Sequence, residues 1–157
     1  MPLSEESLKN ELLHAAHLDA KQRGELAELA FMRKAATLGF AVAKPWGDSD
    51  RYDVVVRSGK VFSRVQIKSV WSHATERHHY RVGTKTGGYH PYTADQIDFL
   101  VAYIFAKDIW YVFPVSVVEH RVVLCVRPGS LRSRLEQYRE AWKLMRTGDP
   151  EFAELTV

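Results

Sequence analysis

The stretch DVVVRSGKVFSRVQIKS, Asp53 to Ser69, decides the fold. Asp53 to Arg57 and Val61 to Ser69 are β-branched, apolar-rich runs. The link between them, Ser58-Gly59-Lys60, has the length and the glycine of an antiparallel hairpin turn. Asp53 therefore opens one strand and Lys68 closes its neighbour. Gln66 and Lys68 are two residues apart, so both side chains leave the same face of that strand, and the hairpin brings Asp53 beside it.

Outward from the hairpin, the upstream chain reads as helical. Ser4 to His17 places Leu8, Leu12, Leu13 and Ala16 at helical spacing behind Ser4 and Ser7 as caps, with Glu5 and Glu6 at the positive end. Gln22 to Leu38 carries Leu26, Leu29, Ala30, Ala35 and Leu38 as its apolar set, and Gly39 supplies the stop. Phe40 to Lys44 alternates as a short strand up to Pro45, and the polar run containing Asp48 and Asp50 is a turn.

Downstream, His73 to His90 is polar and interrupted by Gly83, Gly87 and Gly88, which predicts a ragged hairpin or mobile loop. Phe99 to Phe105, Ile109 to Pro114 and Arg121 to Val126 read as buried strands that complete a mixed sheet. Ser130 then caps a last helix, residues 130–147, with Leu131, Leu135, Tyr138, Trp142 and Met145 at intervals of three and four. That stripe packs on the sheet or against a second subunit, and the sequence leaves this choice open. The fold class is α/β, a mixed central sheet flanked by helices in one domain, 1–157.

Composition narrows the function. The 157 residues are 46% hydrophobic and 26% charged, which is the make-up of a folded domain and not of a disordered chain. No apolar run approaches the roughly 20 residues that span a bilayer, and the acidic start, with Glu5, Glu6 and Glu11, is unlike a secretory signal. A single cysteine, Cys125, excludes an internal disulfide and any multi-cysteine metal site, so a cytoplasmic location with no membrane partner is expected. Glycine-rich phosphate loops, GxGxxG, GxSxG and HExxH are all missing. His73, His78, His79 and His90 lack zinc spacing and point instead to phosphate contact or plain solvent exposure.

The charge is unevenly placed. Arg57, Lys60, Arg64, Lys68, Arg77, Arg81 and Lys85 face only Glu76 between Arg57 and His90, so this segment carries +6 of a chain whose net charge is +3, and the remainder is −3. A polyanion is drawn to such a segment, which makes Arg57, Lys60, Arg64, Arg77, Arg81 and Lys85 the expected nucleic-acid contacts. Arg132, Arg134, Arg139, Lys143 and Arg146 form a competing surface near the C-terminus. Trp46, Trp71, Tyr80, Tyr89 and Tyr92 are read as core or loop packing before base stacking.

The hairpin also assembles chemistry suited to phosphodiester hydrolysis. Hard divalent cations take oxygen ligands and stabilise charge on an attacked phosphate. Asp53 is the central carboxylate, Gln66 offers an amide oxygen, the peptide carbonyl of Ile67 a further neutral oxygen, and Glu28 reaches the same point from the second helix. Lys68 would orient or stabilise a hydroxide and compensate phosphate charge. Glu25, one turn earlier, competes with Glu28, and the bland reading of either is a solvated helix-face glutamate.

Gly24-xxx-Glu28, Gly39-Phe40, Pro45-xxxxxx-Tyr52-Asp53, the hairpin and Val65-Gln66-Ile67-Lys68 together resemble the PD-(D/E)XK nuclease superfamily, in particular its group I intron-encoded homing endonuclease branch. The resemblance covers residues 22–115, including Tyr92 to Asp98. It leaves residues 1–21 as an N-terminal helical extension and 130–147 as an appended helix. It implies a restriction-endonuclease-like core and a magnesium-dependent DNA endonuclease, with manganese as the alternative ion. The site residues it implies are Glu28, Asp53, Gln66 and Lys68. Tyr52 stands where the family has its proline, and Gln66 stands where it has an acid, which removes one negative charge. A homodimer or homotetramer is expected, because a small subunit cuts one strand. The alternative is a non-catalytic DNA-binding or structural module that kept the fold.

Overall fold

A capping box starts the longest helix. The Asp19 carboxylate accepts from the Gln22 N–H (2.8 Å) while the Gln22 side chain accepts from the Asp19 N–H (3.0 Å), so the helix begins before Gln22. The computed structural model describes residues 4–71 and 79–146, apart from the Leu12 side chain. It contains α1 (Glu5–Ala15), α2 (Ala20–Thr37), β1 (Ala41–Ala43), β2 (Val54–Ser58), β3 (Val61–Val70), β4 (Tyr80–Gly83), β5 (Phe99–Ile104), β6 (Ile109–Pro114), α3 (Val115–Val118) and β7 (Val123–Val126). Three short 3-10 turns lie at Phe105–Lys107, Arg134–Tyr138 and Trp142–Met145. Among the described residues, no helix is long and apolar enough to cross a membrane.

Five strands form a mixed sheet in the order β1-β2-β3-β5-β6. The expected hairpin is present, with Val54 opposite Val65 and Ser58 opposite Val61. The β3–β5 pair is parallel and places Lys68 beside Ala102. Each face of the sheet has its own core. On one face α2 lays Ala27, Phe31 and Ala35 against Val65, Ile67, Val101, Trp110 and Trp142. On the other, Val70, Leu100, Ala102 and Tyr111 meet Tyr80, Val82, Leu124 and Val126. The buried stripe of α2 differs from the expected one: Leu26 and Leu29 are exposed, because Phe31, stacked on Trp142 at 5.8 Å, turns a different face inward.

Two further expectations are corrected. Arg121 to Val126 does not extend the main sheet: β7 pairs antiparallel with β4 in a separate two-stranded ribbon, Arg81 opposite Cys125. The segment expected as a ragged hairpin thus holds a strand whose partner lies some forty residues on. Its own local turn runs from Thr86 to His90, where the Thr86 N–H donates to the His90 carbonyl (2.8 Å).

The expected final helix is also replaced, by two 3-10 turns on either side of an extended Arg139 and a left-handed Glu140 (φ 49°). The outer edge of β6 takes the hydrogen bonds a helix would have kept. The Glu140 N–H donates to the Trp110 carbonyl (2.8 Å), and the Glu140 carboxylate accepts from the Trp110 N–H (3.0 Å) and the Trp142 indole N–H (2.7 Å). Glu136 accepts from the Tyr111 hydroxyl and the Gly129 N–H. A capped sheet edge results. Leu135 and Tyr138 pack with one core and Trp142 and Met145 with the other, while Leu131 is fully exposed.

Arg64 clamps the loop before β5. Its guanidinium donates to the Asp98 carboxylate (3.0 and 3.1 Å) and to the carbonyls of Asp95 (2.6 Å) and Ala94 (2.8 Å). Burial pushes the Asp98 carboxyl up, but the hydrogen bonds from the Arg64 side chain and backbone outweigh it and hold the group below the usual value. A depressed folded value contributes stability above the ordinary carboxylate pKa of about 3.9 and loses it as pH falls through the folded value. Urea unfolding at pH 7 and pH 3 is therefore expected to show a smaller acid-induced loss in Asp98→Asn than in the parent. An equal loss in both would show that this pair carries no acid sensitivity.

Candidate active site

Asp53 sits at the mouth of β2, where its own N–H donates to the Val65 carbonyl (2.9 Å). One carboxylate oxygen accepts from the Ile67 N–H (2.8 Å) and from the Gln66 amide (2.7 Å). The hairpin register thus brings Asp53, Gln66 and Ile67 together. The Gln66 amide also donates to the Ile67 carbonyl (3.2 Å), so offering its oxygen to a cation takes a half-turn of the amide. Glu28 faces the same cleft from α2 and is held by Lys44 (2.6 Å). Lys68 projects along the cleft with its ammonium 5.3 Å from the centre of the Tyr92 ring. The cleft, of roughly 540 Å³, is also lined by Lys21, Asp48, Asp50 and Tyr52.

Burial pushes the Asp53 carboxyl above its usual value. The Glu28 carboxylate pushes the same way, and the Ile67 N–H, Lys68 and Lys44 offset part of the rise. The hydrogen bond from Lys44 to Glu28 holds that ammonium above its usual value, against its partial burial. Asp53, pushed up by burial and by the Glu28 carboxylate, shares the cleft with that second acid, and two carboxylates facing one space are a setting that suits a cation. Among the described residues no three His, Cys, Asp or Glu side chains converge. With two acids, the Gln66 amide and the Ile67 carbonyl, the donor set is all oxygen, which fits magnesium or manganese and not a soft metal.

Sequence reasoning named Glu28, Asp53, Gln66, Ile67 and Lys68, and all five line this one cleft. It missed Lys44, whose signal was its place directly before Pro45 at the start of the Pro45 to Asp53 spacing. It also missed Tyr92 as the platform for Lys68. The cationic run is divided. Arg57 closes the hairpin turn by donating to the Gly59 carbonyl (2.9 Å), and Lys60 beside it is roughly 26 Å along β3 from Lys68 by the usual rise per residue. Arg64 is committed to the Asp98 clamp, Arg77 lies outside the described residues with His73 and His78, and Arg81 and Lys85 lie on and beyond β4.

Fold and cleft define the class of restriction-endonuclease-like α/β domains. The chain belongs to the PD-(D/E)XK endonuclease family, whose model matches residues 18–145. Among solved structures it is similar to the bacterial homing endonuclease I-Ssp6803I, with 29% identity over 82% of this chain and 93% of that one, at a TM-score of 0.73. No curated protein matches the chain. Family and neighbour both support a nuclease.

Proposed function

We propose that the chain is a magnesium-dependent DNA endonuclease that hydrolyses phosphodiester bonds with homing-endonuclease-like specificity. The observation that carries this reading is the convergence of Glu28, Asp53, Gln66, the Ile67 carbonyl and Lys68 on one cleft. Asp53 and the Ile67 carbonyl would hold the ion, with Gln66 and Glu28 completing its shell directly or through water. When bound, the ion supplies charge neutralisation at the phosphate and an acidified water. Lys68 would orient the attacking water and stabilise charge on the phosphate, its ammonium steadied by the Tyr92 ring. Lys44 neutralises Glu28 until substrate and ion arrive. One cleft per chain against two DNA strands supports a homodimer or homotetramer, and an exposed free thiol at Cys125 suits the cytoplasm.

The second reading is a non-catalytic DNA-binding module. It draws on the Gln66 to Asp53 hydrogen bond and the Lys44 to Glu28 pair, which satisfy both acids without a cation. Incubation with supercoiled, linear and branched DNA in magnesium, manganese or chelator separates the two. Metal-dependent nicking is expected, and intact DNA in every arm would leave the binding module. Replacing the neutral amide by a hard anionic oxygen in Gln66→Glu is expected to tighten divalent binding roughly tenfold, about 1.4 kcal/mol. Calorimetry without a gain would place that side chain away from the ion.

A further inference from the structure

The β4–β7 ribbon has two unlike faces. Tyr80, Val82, Leu124 and Val126 face inward and are at most 4% exposed, which ties the ribbon to the sheet. The alternate residues Arg81, Gly83, Cys125 and Arg127 face outward, all but Arg127 within the paired register. The outer face carries cations and no acid. Among the described residues neither Arg81 nor Arg127 forms an ion pair. Beside it, Cys125, Arg127, Ser130, Arg132 and Ser133 line a notch of roughly 220 Å³, with the guanidiniums and hydroxyls that hold a phosphate.

Gly83 adds an independent observation. Among the described residues a Cβ at this position would meet nothing within 4 Å, and its φ lies outside the left-handed region, so neither packing against them nor backbone conformation calls for glycine there. Glycine in a strand marks a bulge, a tight bend or a place where a ligand or another backbone comes close, and at Gly83, the last residue of β4, the open space on the outer face leaves room for such an approach. Two strands about 4.8 Å apart, with their side chains, fit a DNA major groove of about 12 Å, which admits a two-stranded ribbon. The major groove of double-stranded RNA is too deep and narrow for side chains to read. Tyr92 joins the ribbon to the cleft: its N–H donates to the Thr84 carbonyl just past β4 (3.4 Å), and its ring lies against Lys68.

We propose that the outer face of this ribbon enters the major groove of duplex DNA, with Arg81 reading a guanine edge and the Arg127 and Arg132 notch holding a backbone phosphate. This rests on the DNA endonuclease reading and specifies where its substrate is recognised. Cys125, the chain's single cysteine, is exposed on that face opposite Arg81 and serves as the reporter.

The test measures alkylation of Cys125 by iodoacetamide in the full chain, in chelator, with and without mixed-sequence duplex DNA at saturation confirmed by fluorescence anisotropy. At least tenfold protection is expected from duplex DNA and little from double-stranded RNA. A thiol that stays fully reactive under saturating duplex overturns the ribbon assignment. Metal-dependent cleavage by the unaltered chain would then leave the endonuclease reading standing. Equal protection by RNA overturns the major-groove placement, and a failure to bind duplex overturns both readings. In selection from a random duplex pool, Arg81→Gln should weaken the preference for guanine at one position about tenfold. Gly83→Val, with thermal unfolding to confirm that it folds, should lower duplex affinity by a similar factor. Unchanged preference and affinity in both variants overturn the proposal.

Discussion

Asp53→Asn is expected to lower metal-dependent DNA cleavage about a thousandfold or more while leaving the protein at least as stable as the parent at pH 7. Both halves follow from one environment. The carboxylate accepts from the Ile67 N–H and the Gln66 amide and is the acid nearest the other proposed oxygen donors, so replacing it removes charge from the point where an ion would bind. The same burial, together with Glu28, pushes its carboxyl up. A raised folded value means the group contributes stability below the ordinary carboxylate pKa and loses it as pH rises through the folded value. As pH rises through the folded value the parent ionises a buried group that the amide leaves neutral, and below the ordinary carboxylate range both side chains are neutral. Urea unfolding should therefore show an advantage for Asp53→Asn near pH 7 that fades on acidification. Lys68→Ala should remain folded and lose cleavage by about two to three orders of magnitude. Near-parental cleavage in either folded variant would remove that residue from the active site.

Trp142→Ala is expected to cost about 3–5 kcal/mol, because it removes a buried indole from the cluster with Phe31 and Trp110, whose ring centres lie 5.8 Å away. In a domain of this size the Tm should fall on the order of 10 °C. Leu131→Ala should change stability by less than about 0.5 kcal/mol, since Leu131 touches solvent alone. The pair separates the observed C-terminal segment from a helix with one apolar stripe, in which Leu131 and Trp142 would share a buried face. Comparable losses in thermal unfolding of the two variants would favour the helix.

The hairpin and the meeting of residues at its mouth were legible because they are local. Two turn residues, Gly59 and Lys60, set the register that places Asp53 against Gln66 and Ile67, and a spacing of two puts Gln66 and Lys68 on one face. The helix glutamate, Glu28, was singled out over Glu25 by the Gly24-xxx-Glu28 part of the family resemblance. Lys44 was not, because its partner Glu28 lies sixteen residues away and on another element, where no periodicity links them. Charge counting grouped Arg64 with the DNA contacts for the same reason: a tally along the chain does not register that Asp98 and two carbonyls already take its donors.

By itself the sequence determined an α/β domain, the two leading helices, the antiparallel hairpin and the residues that meet at its mouth. These depend on patterns within a few residues, which propensity and turn geometry express directly. The tertiary structure alone decided which face of α2 is buried, that β7 pairs with β4, and that residues 134–145 form an edge cover in place of a helix. Apolar residues at intervals of three and four satisfy a helix on paper. Here Leu135 and Tyr138 belong to one core and Trp142 and Met145 to the other. The unpaired edge of β6 offered Glu140 and Arg139 backbone and side-chain hydrogen bonds that exist only once the sheet has formed. A long-range partner of that kind outweighs a local preference worth a fraction of a kcal/mol per residue.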